Sequence, residues 1–141
     1  MLVLNVGCGD KIFEYAKNID INLTESSEVC ELIQGDANYL DEIYESESVD
    51  LIFMLCPHKY YPLRSKAYEI LKTSGLIVIT GNISNPYFKE AWMASEKILE
   101  KKGFITVSKT QHCYPDFMNS RLSNGKSIEN HTIKQIVLRK R

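Results

Sequence analysis

Two continuous apolar runs most constrain what this chain can fold into. Val49–Leu55 and Leu76–Thr80 are apolar at nearly every position, which is typical of strands buried on both faces of a parallel sheet. Between them, apolar residues at helical spacing predict a helix that buries one face. The residues of that face are Leu63, Ala67, Ile70 and Leu71.

Further strands and helices alternate along the chain. Strands are predicted at Leu2–Val6, Ile19–Ile21, Glu31–Ile33, Phe104–Val107 and Ile133–Leu138. Asn85 followed by Pro86 marks a helix start, and this helix is expected to run to Gly103 and to bury Phe88, Ala91, Trp92, Ile98 and Leu99. The order predicts an α/β fold, a three-layer doubly wound and mostly parallel sheet with a C-terminal antiparallel edge hairpin. Residues 1–141 are expected to form a single domain.

Composition excludes several classes of protein. The 141 residues are 44% hydrophobic, and 17 Lys plus Arg balance 18 Asp plus Glu to a formal net charge of −1. This balance excludes general disorder and predicts no broad nucleic-acid-binding field. No apolar run approaches the roughly 18 residues that span a bilayer, and no signal peptide is recognisable, so we expect no membrane contact and a cytoplasmic location. The four cysteines lack metal-ligand spacing, so no metal site is expected.

A glycine turn follows the first predicted strand. Gly7-Cys8-Gly9 lets the backbone pass close to a ligand, and its amides are suited to hydrogen-bond a carboxylate or phosphate. Ligands bind at the carboxyl ends of strands in open α/β sheets. Two glycines in a turn are equally consistent with a tight turn and nothing more.

Two acidic residues lie at the ends of the next two predicted strands, Asp20 at the end of the second and Asp36 after the third. Asp20 is suited to accept hydrogen bonds from both hydroxyls of a ribose. Asp36 is suited to accept a hydrogen bond from an exocyclic amine. Asp36 is also a candidate cap of a following helix, which would bury Leu40, Ile43 and Tyr44. The two roles of Asp36 are compatible.

These motifs, in this order, resemble class I S-adenosylmethionine-dependent methyltransferases. The likeness is carried by Leu4-Asn5-Val6-Gly7-Cys8-Gly9-Asp10, Asn18-Ile19-Asp20-Ile21 and Gly35-Asp36-Ala37. Leu71-Lys72-Thr73-Ser74-Gly75 is similar to the Leu-Lys-Pro-Gly-Gly turn before the family's fifth strand. The resemblance extends from residue 2 to about residue 110, and the final hairpin fits the family's last two strands.

The resemblance implies the cofactor S-adenosylmethionine, with S-adenosylhomocysteine as product. The glycine turn would hold the methionine part, Asp20 with Ile21 the ribose, and Asp36 with Ala37 the adenine. The cofactor-binding residues that it implies are Asn5, Gly7, Cys8, Gly9, Asp20, Ile21, Asp36, Ala37, Leu55 and Cys56. Asn5 stands where many members carry an acidic residue.

The chain also departs from the family pattern. Only eight residues, Asp10 to Lys17, separate the glycine turn from the second strand, so the usual first helix is expected to be short or absent. The N-terminal helix that commonly closes the cofactor pocket is also expected to be missing, which makes this a small variant. We therefore expect that a homodimer or a partner subunit could complete the pocket.

The loop after the fourth predicted strand is the candidate acceptor site. It lacks the Asn/Asp-Pro-Pro-Tyr motif of amino-group methyltransferases, so base methylation is not expected. His58 is a candidate general base, because an imidazole can accept a proton at neutral pH, or else an exposed loop histidine. Tyr60 and Tyr61 are candidates to line the acceptor pocket or to serve in packing, and the segment Asp116 to Asn130 is a candidate cover.

The sequence therefore predicts a methyltransferase acting on a small molecule or a peptide. The alternative is a non-catalytic methyltransferase-like domain that serves as a binding or scaffold subunit. A nicotinamide-dependent reductase is disfavoured, because the third glycine of the dinucleotide fingerprint is absent. The terminal Arg139-Lys140-Arg141 is expected to be a solvated tail.

Overall fold

The computed structural model describes residues 1–8, 12–21, 32–111 and 133–141. These residues form one seven-stranded sheet. In chain order its strands are β1 (Val3–Val6), β2 (Lys17–Asp20), β3 (Leu32–Gln34), β4 (Val49–Leu55), β5 (Leu71–Asn82), β6 (Phe104–Gln111) and β7 (Ile133–Lys140).

The strands follow the order β3-β2-β1-β4-β5-β7-β6. The first five strands pair in parallel, whereas β7 runs antiparallel between β5 and β6. The predicted mostly parallel sheet with an antiparallel C-terminal hairpin is confirmed. The described residues from Phe13 to Ala16 form turns and no helix, in agreement with the prediction of a short or absent first helix.

The helices are shorter than the sequence predicts. They are α1 (Ala67–Ile70), α2 (Pro86–Met93) and α3 (Glu96–Lys101), together with two 3₁₀ helices at Ala37–Glu42 and Pro62–Arg64. The predicted long helix from Asn85 to Gly103 is wrong in its continuity. The chain turns at Ala94, and Ser95 caps α3 by accepting a hydrogen bond from the amide of Ile98.

The predicted helix between β4 and β5 was likewise too long. Leu63, Ala67, Ile70 and Leu71 are all buried as expected, but Leu71 already pairs with Val49 as the first residue of β5. The next paired residue of β5 is Leu76, opposite Leu51. The intervening residues bulge outwards, with Ser74 at φ +68°.

The main core lies on one face of the sheet. Strand register brings Leu4, Ile52 and Ile77 side by side, and the alternation of a strand keeps Val6 and Ile79 on the same face. The helical residues that pack there are Ala37, Leu40, Ala67, Ile70, Phe88, Ala91 and Leu99. All the described helices therefore cover this face.

The opposite face has a different cover in the described part of the chain. There Leu55 and Ile133 form a small apolar cluster with Phe13 and Cys56. Asn5 donates to the Oδ1 of Asn18 at 3.0 Å, and that oxygen also accepts from the Phe13 amide at 2.9 Å. This buried amide pair holds the turn at residues 12–16 on the sheet, where Phe13 meets the Phe53 ring edge-on.

Three of the predictions on buried and exposed positions are corrected. Ile98 is exposed in α3, and so is Ile43 at the end of the first 3₁₀ helix. Lys140 is buried, although a solvated tail was expected. None of the helices in the described residues has the length and apolar character that crossing a membrane requires.

Candidate functional site

One cavity of about 360 Å³ opens at the carboxyl ends of the parallel strands. It adjoins β1, β2 and β3 on one side and the loop after β4 on the other. Its lining residues are Gly7, Asp20, Ile21, Gly35, Asp36, Ala37, His58, Lys59 and Tyr60. The strand order reverses between β1 and β4, and open α/β sheets bind ligands at such a reversal.

Gly7 forms the floor of the cavity beside Tyr60. Its φ is +66°, a left-handed conformation that glycine adopts without strain. A Cβ added at Gly7 would lie 3.1 Å from Cε1 of Tyr60, so a side chain here would press on that ring. The absence of a side chain is therefore needed for both the turn and the close approach.

The described amides of the glycine turn do not point to a ligand. The Gly7 and Cys8 amides both donate to the carbonyl of Ile19, at 2.7 Å and 3.1 Å. They tie the turn to β2, which differs from the expected role as donors to a carboxylate or phosphate. Gly9 lies outside the described residues.

Asp20 and Asp36 line the same cavity from neighbouring strand ends. Asp20 is the last residue of β2, and its carbonyl accepts the Gly35 amide at 2.9 Å. That bond brings the turn after β3 alongside the end of β2. Two side chains that are 16 positions apart in the sequence thus meet at one opening.

Asp36 caps the 3₁₀ helix that follows it. Its Oδ1 accepts from the Asn38 amide at 2.8 Å and from the Asn38 side chain at 3.0 Å. The predicted capping role is confirmed. It is compatible with a ligand contact, because a carboxylate has several acceptor positions.

Tyr60 is a buried wall of the cavity. Its hydroxyl donates to the carbonyl of Val6 at 3.3 Å. Burial raises the pKa of Tyr60 far above its ordinary value, and repulsion from the neighbouring Cys56, Asp20 and Cys8 groups in their ionised forms raises that pKa further. The phenol is therefore a neutral hydrogen-bond donor at physiological pH.

The loop after β4 presents His58 and Lys59 to the opening. Cys56 and Lys59 have φ values of +49° and +62°, which are strained for residues other than glycine. Asn85 anchors the loop by donating to the carbonyl of Pro57 at 2.8 Å. The exposed His58 ring meets Tyr87 edge-on at 5.7 Å between centroids.

Several residues implied by the resemblance are not among the described lining of this cavity. Asn5 bonds Asn18, while Leu55 and Cys56 belong to the small cluster on the other face. Cys8 is buried at the turn. Tyr61 packs on Tyr87 and beneath the Arg64 guanidinium. The roles of these residues in binding stay predictions.

Sequence reasoning did not find Lys59 and Gly35 as lining residues. Gly35 directly precedes Asp36, and a Cβ there would lie 2.6 Å from Cδ1 of Ile43. Lys59 lies in the loop Cys56–Tyr61, over which the acceptor was expected to enter, and its backbone there is left-handed. The predicted cover, Asp116 to Asn130, lies outside the described residues.

Comparison with known proteins identifies the fold. No family model matches the chain, and no curated protein matches it. A methyltransferase of Methanosarcina mazei superposes with a TM-score of 0.63 at 14% identity, covering 98% of this chain and 91% of that one. A 30S ribosomal methyltransferase from an uncultured bacterium superposes with a TM-score of 0.64 at 16% identity. The match covers 99% of this chain and 87% of that one.

A third similar structure contains two proteins. It is a complex of a methyltransferase activator from Haloferax volcanii with a methyltransferase, and it matches at a TM-score of 0.63 and 12% identity, covering 99% of this chain and 81% of that one. At these identities the likeness is one of fold. This chain has the class I methyltransferase-like fold, as its sequence motifs suggested.

Proposed function

We propose that this chain is an S-adenosylmethionine-dependent methyltransferase that transfers a methyl group to a small-molecule or peptide acceptor. The observation that carries the proposal is the meeting of Gly7, Asp20 and Asp36 in one cavity where the strand order reverses. Two carboxylates and a close backbone approach suit an adenosyl ligand. The fold of the solved methyltransferases supports the same reading.

The residues of the cavity fit this cofactor. Carboxylates accept hydrogen bonds from the paired hydroxyls of a ribose and from an exocyclic amine. The cavity volume of about 360 Å³ falls within the roughly 300–1,000 Å³ that is usual for small-ligand sites. When bound, S-adenosylmethionine supplies an electrophilic methyl group on a sulfonium. Asp20 then orients the ribose, while Asp36 and Ala37 hold the adenine edge.

His58 is the residue placed to take a proton from the acceptor. It is exposed at the opening, next to Tyr87, where an incoming acceptor would pass. Methyl transfer depends mainly on positioning, so a base is needed only for acceptors that must lose a proton. With a responsive acceptor in hand, His58→Ala should bind S-adenosylhomocysteine normally and slow single-turnover transfer. An unchanged rate would remove His58 from the mechanism.

Calorimetric titration tests the cofactor assignment directly. S-adenosylmethionine and S-adenosylhomocysteine should bind with micromolar Kd, and NAD should not bind. Asp20→Ala should lower the affinity for S-adenosylhomocysteine by about 10- to 100-fold, which is the usual contribution of hydrogen bonds to a charged group. Asp41→Ala removes an exposed carboxylate on the adjoining 3₁₀ helix and is the matched control. Equal affinity in the Asp20 and Asp41 variants would overturn the role of Asp20.

A second candidate function is a non-catalytic methyltransferase-like binding or scaffold domain that needs a partner subunit. The observation that favours it is the likeness in fold to a methyltransferase whose structure contains an activator. The Haloferax volcanii structure shows that one protein of this fold pairs with an activator. Cofactor binding without turnover over a broad acceptor panel, in a chain that forms a homodimer or captures a subunit, would favour this function. The cytoplasmic location stays a prediction, which cell fractionation would test.

A further inference from the structure

We propose that Lys59 binds the carboxylate of the amino-acid part of the adenosyl cofactor, in place of the backbone amides of Gly7 and Cys8. This assignment rests on the proposed function and names a contact that the sequence motifs did not include. It follows from three features of the cavity, which are the orientation of the described amides, the conformation of Lys59 and the distribution of charge.

The first feature is that the described amides of the turn are already bonded. Gly7 and Cys8 both donate to the carbonyl of Ile19. An amide bonded in this way does not offer its hydrogen to a ligand without breaking the link between the turn and β2. Neither of these two amides is therefore open to a bound carboxylate.

The second feature is the backbone of Lys59. Its φ of +62° is a left-handed conformation, which is costly for a residue with a side chain. Strained conformations persist where the surrounding structure enforces them, and they cluster at ligand sites. Here Asn85 holds Pro57, two residues before Lys59, and buried Tyr60 follows directly. The loop is thus pinned on both sides of Lys59, and Lys59 lines the cavity.

The third feature is charge. Lys59 forms no ion pair with Asp20, Asp36 or any other carboxylate in the part of the chain that the structure describes. Among the described lining residues, it is the one side chain that carries a full positive charge at neutral pH. An ammonium group has three donors, and it pairs with a carboxylate by charge-assisted hydrogen bonds. The ammonium group of Lys59 is thus suited to pair with the carboxylate of a zwitterionic amino-acid group.

Two ligands that differ only in the amino-acid part test this assignment. S-adenosylhomocysteine carries the carboxylate, and 5′-methylthioadenosine keeps the adenosine and the thioether without it. Lys59→Met should lower the affinity for S-adenosylhomocysteine about tenfold, which corresponds to one charge-assisted contact. It should leave the affinity for methylthioadenosine unchanged. Lys89→Met, which alters an exposed lysine on α2, is the matched control.

The outcomes separate this assignment from the proposed function. Selective loss of S-adenosylhomocysteine affinity in Lys59→Met, with recovery in Lys59→Arg, supports it. An equal loss for both ligands, or no loss for either, overturns the assignment and leaves the cofactor intact. Failure of the unaltered chain to bind either ligand overturns the proposed function and the assignment together. Thermal unfolding of each variant confirms that the protein titrated is folded.

Discussion

Tyr60 donates its hydroxyl to the main-chain carbonyl of Val6 across 3.3 Å, joining the loop after β4 to the end of β1. The two residues are 54 positions apart in the chain. Their bond fixes the wall of the cavity opposite Asp20 and Asp36, and the Tyr60 ring lies against Gly7. The shape of the site thus depends on one buried phenol.

Tyr60→Phe should change how stability depends on alkaline pH. Because burial raises the pKa of Tyr60 above its ordinary value of 10.0, only the unfolded state loses this proton just above that pH. The Tyr60 contribution to stability is therefore complete below about pH 10 and declines above it, by up to about 1.4 kcal/mol per pH unit. Urea unfolding between pH 8 and 11 should show a steeper decline in the unaltered chain than in Tyr60→Phe. Parallel declines in both proteins would contradict this.

Two substitutions at Asp36 should separate capping from ligand binding. Asp36→Ala removes the oxygen that accepts the Asn38 amide, and should cost about 1 kcal/mol of stability. Asp36→Ser retains a capping oxygen on a shorter side chain. Its free energy of unfolding should stay within a few tenths of a kcal/mol of that of the unaltered chain. Both variants should lose affinity for S-adenosylhomocysteine. If Asp36→Ser kept full affinity for S-adenosylhomocysteine, Asp36 would serve only to cap the 3₁₀ helix and not to bind the ligand.

Lys140→Met should destabilise the fold without affecting the cavity. The buried ammonium donates to the carbonyls of Tyr68 and Leu71 at 2.7 Å and 2.8 Å, and lies 4.2 Å from the centre of the Tyr68 ring. Its loss leaves two buried carbonyls without this donor, which should cost about 1–3 kcal/mol. Arg139→Met, at the exposed neighbouring position, is the control in denaturant unfolding. Equal stability of the two variants would refute the structural role of Lys140.

Lys59→Gly should separate stability from binding. Glycine adopts the left-handed conformation at this position without the strain that lysine bears, and relief of that strain is worth up to about 1 kcal/mol. The midpoint of thermal unfolding should therefore rise, while the affinity for S-adenosylhomocysteine falls. Lys89→Gly removes an exposed lysine from within α2 and should lower the midpoint. A lower midpoint in Lys59→Gly would show that the lysine itself stabilises the loop.

The strands and the site carboxylates were the parts best predicted from sequence. Continuous apolar runs mark buried strands wherever they pair, and Val49–Leu55 was predicted with its exact limits. Asp20 ends β2 and Asp36 follows β3, and these strand ends meet at one edge of the sheet, so the meeting of the two residues needed only the strand order. The helices were predicted less well, since the apolar spacing at Phe88 and Leu99 did not reveal the turn at Ala94 that divides them.

By itself, the sequence determined which segments form strands, the glycine turn and the carboxylates at the strand ends, because each depends on local periodicity or on residue type. The tertiary structure alone decided that Gly7 and Cys8 bond the Ile19 carbonyl, that Lys59 enters the cavity and that Lys140 is buried. These outcomes depend on left-handed backbone conformations and on hydrogen bonds between residues distant in the chain. Local sequence patterns do not encode such contacts, because a lysine reads the same in the sequence whether the folded protein buries its ammonium group or leaves it in solvent.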